Sequence, residues 1–229
     1  MIETKVGLIP LLIVSFLPGL FWVGFFYKKD RLEPEPKKLI IRTFLYGALA
    51  VFPAAMIETP FRPLIRLGQL NLVLLLPVTI LVVGLVEESL KLLATWISVY
   101  DSPDFNEVMD GIIYSVSSGL GFAALENLLY AGAFGVAVGL VRAVITCLAH
   151  ASFSGIAGYY LGRARFDHDR AQYFVIKGLT LAVVFHGVYD FLILGGILPP
   201  SFAVVMVAGV YLYLSRKLAL AESLSPFKK

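Results

Sequence analysis

Five ionisable side chains lie inside long apolar stretches of the sequence and could do chemistry together. They are the adjacent pair Glu87 and Glu88, followed by Glu126, His150 and His186. A carboxylate or an imidazole is costly in hydrocarbon, so such groups are rare in membrane segments, face the protein interior and usually mark a functional site. Two histidines and several glutamates can bind a metal ion or act as acid and base. The pattern is typical of an enzyme active site, an ion pathway or a structural polar cluster.

The stretches that carry these residues are expected to be membrane-spanning helices. The chain of 229 residues is 59% hydrophobic and 15% charged, whereas soluble domains have roughly 25% charged residues. Apolar runs of about 20 residues recur along the whole length. We predict an all-α, polytopic transmembrane bundle of about seven spans that forms a single membrane domain over 1–229. The predicted spans are 7–27, 39–57, 70–98, 108–132, 134–162, 173–195 and 201–215.

The third predicted span, 70–98, is too long to cross a membrane upright, so we expect it to tilt or to project from the bilayer. Pro77 lies in its first half and is expected to kink the helix. The loop before it, 58–69, contains two prolines and two arginines. We expect this loop to lie along the membrane interface.

Basic residues predict the orientation of the chain. They cluster after the first predicted span, before the sixth and at the C-terminus. Such loops stay in the cytoplasm, so we expect the N-terminus outside and the C-terminus in the cytoplasm. Arg62 and Arg66 then fall in an outside loop and are the main exception. Because the basic residues flank helices and form no stripe on a soluble face, binding of nucleic acid is disfavoured.

The spacing of the polar residues indicates pairs. Adjacent residues of a helix point about 100° apart, so Glu87 and Glu88 cannot face one point equally. Glu87 and Lys91 stand at i,i+4 in the favourable order for an ion pair. Asp190 stands four residues after His186 and can fix its tautomer, as carboxylates do for metal-bound histidines.

Two histidines and one carboxylate form a common catalytic zinc set that keeps one position open for water. Zinc would lower the pKa of that water, and a further glutamate could act as base and then as proton donor, which is what peptide-bond hydrolysis needs. The same ligands would suit a metal or proton transporter, although no internal repeat supports one. A scaffold whose polar residues only hold helices together is the third possibility.

The ordered motifs of the chain resemble those of the PrsW family of intramembrane proteases. They are Glu87-Glu88-x-x-Lys91, Asp110-Gly111-Ile112-Ile113-Tyr114, Gly121-Phe122-Ala123-x-x-Glu126-Asn127, His150, His186-x-x-x-Asp190 and the early loop Tyr27 to Pro36. In Phe122-x-x-x-Glu126, a glutamate stands where the related CAAX-prenyl endopeptidases have histidine, which favours the PrsW branch. The resemblance implies a bacterial plasma-membrane endopeptidase that acts on membrane-anchored anti-sigma factors.

The combined prediction is an endopeptidase for membrane protein substrates, embedded in the lipid bilayer. We assign Glu126, His150 and His186 as ligands of a zinc ion and Glu87 or Glu88 as the general base, with a preference for Glu87. The supporting residues are Lys91 and Asp190 beside the site, and Asn127 and Arg142 as candidates for stabilising the oxyanion or the substrate backbone. A metal-free mechanism that uses glutamate and histidine is the alternative within the same clan.

Overall fold

The computed structural model describes residues 7–63, 70–196 and 199–228, with the side chains of 137–142, 144 and 200 outside that description. The described part consists of helices and connecting loops, without a β-strand. The helices are α1 (Leu8–Tyr27), α2 (Lys37–Leu49), α3 (Val51–Glu58), α4 (Leu72–Val78), α5 (Leu85–Val99), α6 (Val108–Phe134), α7 (Val136–Phe166), α8 (Ala171–Leu194) and α9 (Pro200–Leu224). The all-α prediction is confirmed.

Six described helical stretches are long and apolar enough to cross a membrane. They are Leu8–Tyr27, Lys37–Glu58, Leu72–Val99, Val108–Phe134, His168–Leu194 and Ser201–Leu224. The 31-residue helix α7 stands at the position of the fifth predicted span. A polytopic helical bundle is therefore confirmed. Two details differ from the prediction: the second span is divided into α2 and α3, which meet at Ala50, and α9 continues nine residues beyond 215 to Leu224.

Helix α6 forms the centre of the bundle. Of its 18-residue apolar window, 94% is buried, whereas the other five spans bury between 11% and 44% of theirs. The small residues on α6 explain this position, because they let neighbouring backbones approach closely. A Cβ atom on Gly121 would overlap the carbonyl oxygen of Phe44 in α2, and one on Gly111 would overlap that of Gly158 in α7. The outer helices keep apolar side chains on faces that lipid can cover.

Replacing Gly158 by alanine should lower the free energy of unfolding by about 1–3 kcal/mol, the usual cost of overpacking a core. The added Cβ would overlap the carbonyl oxygen of Gly111 and lie 2.6 Å from Cβ of Ser115, so α6 and α7 must separate. Thermal unfolding in detergent would measure the change. Gly209→Ala is the matched control, since nothing lies within 4 Å of its added Cβ. Equal stability of the two variants would contradict the close packing of α6 on α7.

The third span changes its helical geometry just before the two adjacent glutamates. Pro77 lies in α4, and a π-helical segment, Thr79–Gly84, joins α4 to α5. Such segments are frequent at functional sites. The segment packs directly on α8: a Cβ on Gly84 would lie 2.7 Å from the carbonyl oxygen of Val183, and one on Gly187 would meet the backbone of Ile80. This contact between backbones brings the first turn of α5 against the middle of α8.

Candidate active site

The ammonium group of Lys91 lies at the centre of a buried polar cluster. Its Nζ atom is 2.9 Å from Glu87 Oε2, 2.8 Å from Glu88 Oε1 and 2.8 Å from His150 Nδ1. It also lies 4.3 Å from the centroid of the Phe122 ring, and Lys91 is only 1% exposed. One cation between two carboxylates offsets part of the cost of burying them. The pair of Glu87 with Lys91 was predicted from its i,i+4 spacing, and the contact with Glu88 has the equally suitable i,i+3 spacing. The expectation that the two glutamates cannot face one point equally is wrong for Lys91, whose long side chain reaches both. The contact with His150 does not follow from spacing.

His186 is held by a carboxylate of the neighbouring helix. Its Nδ1 atom lies 2.8 Å from Glu88 Oε1. Because a carboxylate accepts hydrogen bonds, Nδ1 carries a proton, and in the neutral ring Nε2 keeps its lone pair. Asp190 Oδ2 lies 3.4 Å from Nε2, and Glu87 Oε2 lies 3.7 Å from the same atom. The sequence predicted the orienting role for Asp190, whereas the structure places Glu88 at Nδ1.

In His150 the ring proton lies on Nε2, whereas in His186 it lies on Nδ1. An ammonium group can only donate, so the Nδ1 atom of His150 accepts from Lys91 and Nε2 carries the proton. That Nε2 atom faces Glu126 Oε2 at 3.4 Å. The ring also stacks on Phe122 at a centroid distance of 5.9 Å and meets the His186 ring edge to face at 5.2 Å. These contacts hold the two imidazoles next to each other.

Glu87 and the two histidines form a buried group whose geometry could hold a metal ion. Glu87, His150 and His186 each offer one ligand atom, and these atoms all lie within 4.8 Å of one another. Glu126 borders this group through its contact with His150. The sequence assigned Glu126 to the ligands and Glu87 to the base, and both assignments stay predictions. The mutual distances of Glu87, His150 and His186 favour Glu87 as a ligand and leave Glu126 for the base.

A cavity of about 190 Å³ leads to this group of residues. At roughly 30 Å³ for each water, it has room for several water molecules. Glu87, Glu126 and Asp190 contribute carboxylates to its wall, and the remaining lining is largely apolar, with Phe122, Leu129, Phe134, Ile193 and Leu194. The two histidines are buried, at 2% exposure each. Water in the cavity can therefore meet the carboxylates while the imidazoles stay shielded.

Sequence reasoning missed one acidic residue of the cavity. Glu58 ends α3 and is 9% exposed; its carboxylate lies 3.8 Å from Arg62, and both residues line the cavity. Glu58 therefore belongs to helix α3 and not to the expected loop 58–69, of which residues 64–69 lie outside the described part of the structure. The available signal was its position four residues before Arg62 at the end of an apolar run, which allows an ion pair on one helical face.

Two predicted auxiliary residues have different outcomes. Asn127 is fully buried and donates through Nδ2 to Cys147 Sγ at 3.6 Å. It is not a lining residue of the cavity. The side chain of Arg142 lies outside the described part of the structure, so its predicted role remains a prediction.

Comparison with known proteins identifies the family. A family model described as PrsW family intramembrane metalloprotease matches residues 35–215, a range that contains every site residue from Glu58 to Asp190. The chain belongs to the PrsW family. The resemblance inferred from the motifs is confirmed, and membership makes this a multi-pass membrane peptidase.

Curated PrsW relatives align over most of the chain. Protease PrsW of Bacillus subtilis is 39% identical over 180 residues, which cover 77% of this chain and 79% of the relative. Protease PrsW of Geobacillus kaustophilus is 38% identical over 177 residues, covering 77% and 76%. Protease PrsW of Clostridioides difficile is 32% identical over 197 residues, covering 83% and 80%. No solved structure gives a significant match.

Proposed function

We propose that this PrsW-family protein is an endopeptidase that hydrolyses peptide bonds of membrane-associated protein substrates inside the bundle. The observation that carries the proposal is the double position of Glu87. Its carboxylate belongs both to the buried group with His150 and His186 and to the wall of the cavity. A substrate segment in the cavity would therefore meet the Glu87 carboxylate and the shielded imidazoles beside it at the same place.

The donor group fits a divalent metal ion of the zinc class. Two imidazole nitrogens and one carboxylate oxygen are ligands that zinc commonly takes in catalytic sites, and the three atoms lie within 4.8 Å of one another. Glu88 at Nδ1 of His186 supplies the carboxylate partner that orients metal-binding histidines. Glu87, His150 and His186 would hold the ion, with Glu126 as a further candidate. A zinc ion there would supply an electrophile for the carbonyl and lower the pKa of water.

The hydrogen bond from Lys91 would compete with a metal ion for His150. It requires the proton of His150 on Nε2, the atom that faces Glu126. Because a neutral imidazole has one lone pair, a ring that held a metal ion could not also accept from Lys91. Lys91 would keep its contacts with the two glutamates.

The general base in this proposal is Glu126. It lines the cavity and lies beside His150, so it can take a proton from water and deliver it to the leaving amine. The metal-free alternative uses the same residue. The observation that favours this alternative is the contact of Lys91 with Nδ1 of His150, which leaves the ring proton on Nε2, where it could donate a hydrogen bond to the developing oxyanion.

Charge, span length and family resemblance support the orientation, the membrane, the domain extent and the substrate in this proposal. The basic loops support an N-terminus outside and a C-terminus in the cytoplasm of a bacterial plasma membrane. The length and spacing of the spans support one membrane domain over 1–229. A membrane-anchored anti-sigma factor is the substrate that the resemblance implies.

Replacing Glu126 by glutamine should slow cleavage by about 10²–10⁴-fold, because the amide cannot accept the proton of water. Cleavage of a single-span membrane protein by the purified chain in liposomes would measure the rate. Asp169→Asn, on an exposed turn, is the control with unchanged activity. Retained cleavage in the Glu126 variant would contradict its role as base.

Metal analysis of the same preparation separates the two mechanisms. If the mechanism uses zinc, we expect about one zinc ion for each chain. A chelator should then abolish cleavage, and added zinc should restore it. Full activity of a metal-free preparation would instead establish the glutamate and histidine mechanism.

A further inference from the structure

A second group of buried carboxylates lies at the other end of the central helix. Asp30, Glu35 and Asp110 each place one carboxylate oxygen within 4.8 Å of the others. Their exposures are 4%, 1% and 0%. Asp110 precedes Glu126 by 16 residues on α6, about 24 Å along a helix at 1.5 Å per residue. The group is therefore separate from the active site.

Hydrogen bonds fix one oxygen of each carboxylate in this group. Asp110 Oδ2 accepts from the backbone nitrogens of Asn106 at 2.6 Å and Glu107 at 2.7 Å, within the capping box that begins α6. Glu35 Oε2 accepts from the hydroxyl of Tyr114. Asp30 Oδ1 accepts from the backbone nitrogen of Glu33 at 3.5 Å. The positions of the three carboxylates are thus set by the start of α6 and by the loop between α1 and α2.

The second oxygen of each carboxylate has no compensating cation among the described residues, and the hydrogen bond between Glu35 and Asp110 needs a proton on one of the two carboxyl groups. With the carboxylates ionised, Asp30 Oδ2, Glu35 Oε1 and Asp110 Oδ1 are buried without a hydrogen bond among the described residues, and so are Asn106 Oδ1 and Glu107 Oε2 nearby. Within that same part of the chain, no lysine or arginine forms an ion pair with them. The basic residues of the loop, Lys28, Lys29 and Arg31, are exposed. Buried carboxylates without partners are too costly to leave uncompensated.

A bound cation would compensate the carboxylates of Asp30, Glu35 and Asp110 together. Carboxylate and amide oxygens without nitrogen or sulfur are the ligand set of hard cations, which distinguishes this group from the histidine-containing active site. Mg²⁺ usually keeps several waters, whereas Ca²⁺ takes six to eight oxygen ligands in flexible geometry. Because these oxygens are shielded from solvent and come from side chains, the set suits Ca²⁺ better. An open groove is lined by Asn106 and Glu107, the residues just before Asp110 in the chain.

We propose that Asp30, Glu35 and Asp110 bind a hard divalent cation, preferably Ca²⁺, that fastens the loop 28–36 to the start of α6. Asn106 and Glu107 supply further oxygens at the edge of the site. The cation links the connection between α1 and α2 to the helix that carries Glu126, and it stabilises the bundle from the end opposite to the cavity. This site is independent of the proposed proteolysis.

Protons are the competitors of the cation. Burial, with the neighbouring Asp110 carboxyl, raises the pKa of Glu35 to about 11, and burial raises the pKa of Asp30 to about 6. A shared proton between carboxyl groups would also lower the charge of the group. The experiment must therefore separate a bound cation from bound protons.

Equilibrium dialysis of the purified full chain with radioactive ⁴⁵Ca²⁺ at neutral pH tests the proposal directly. We expect one saturable site in the wild-type chain and a loss of affinity of about tenfold or more in Glu35→Gln, because removing one charged ligand weakens a calcium site. Glu87→Gln, in the active site, should keep wild-type binding, as should the exposed Asp169→Asn. Unlabelled Mg²⁺ should displace Ca²⁺ only weakly.

Thermal unfolding of the wild-type chain provides a second measurement, which does not require the Glu35→Gln variant to fold. Added Ca²⁺ should raise the melting temperature of the wild-type chain, because a ligand that binds only the folded state stabilises it. The same addition should leave Glu35→Gln unchanged. Absence of saturable Ca²⁺ and Mg²⁺ binding together with an unshifted wild-type melting temperature would overturn the proposal and assign the compensation to protons. Binding lost in Glu87→Gln but kept in Glu35→Gln would overturn it as well.

Discussion

Replacing His186 by alanine is expected to abolish peptide-bond cleavage, by about 10³-fold or more, while a folded protein stays in the membrane. The size is typical of removing a group on which the chemical step depends. His186 provides one nitrogen of the tight group with Glu87 and His150. The fold should survive, since Glu88 and Glu87 both keep their contacts with Lys91 at 2.8 and 2.9 Å. Cleavage of a membrane-anchored reporter measures the loss, and circular dichroism with gel filtration checks the fold.

His168→Ala is the matched control for this experiment. His168 lies on the exposed turn before α8, so its replacement should leave cleavage unchanged. Proteolysis retained in the His186 variant would remove His186 from the catalytic centre. A variant that is inactive because it no longer folds would be recognised by its loss of helical signal.

Replacing Lys91 by methionine is expected to lower the free energy of unfolding by about 3–5 kcal/mol, the cost of leaving one side of a buried ion pair without its partner. Methionine keeps the length of the side chain and removes the charge. Glu87 and Glu88, at 4% and 1% exposure, would then lose the cation that both contact. Unfolding in mixed detergent micelles would measure the change.

Lys177→Met is the control, because Lys177 lies exposed on α8. The triple variant with Lys91→Met, Glu87→Gln and Glu88→Gln should recover part of the lost stability, since residues that share one network are not additive. If Lys91→Met were no more destabilising than Lys177→Met, the ammonium could not be the charge that makes the two glutamates tolerable in the bundle.

Much of the fold could be predicted from the sequence because membrane helices are specified locally. Apolar runs of about 20 residues identify spans without knowledge of their neighbours, and the all-α bundle was predicted correctly on that basis. The pair of Glu87 with Lys91 was also predictable, since residues four apart share one helical face. The polar residues that meet in the site were identified by their cost in hydrocarbon.

The partners across helices could not be predicted in this way. Glu88 lies against His186 because backbones touch at Gly84 and Gly187, and no period in the sequence records that contact. The same limit explains why Glu58 and the group of Asp30, Glu35 and Asp110 were missed. Each of these residues reads locally as a loop or as the end of a span, and only packing buries it.

The sequence by itself predicted most of the helices, the family and most of the polar residues that meet in the candidate site. The tertiary structure decided which glutamate joins the two histidines, which carboxylate orients His186 and where Lys91 places its charge. The physical reason is that helical periodicity fixes the direction of a side chain on its own helix, whereas the distance between helices depends on close contacts between small residues far apart in the chain.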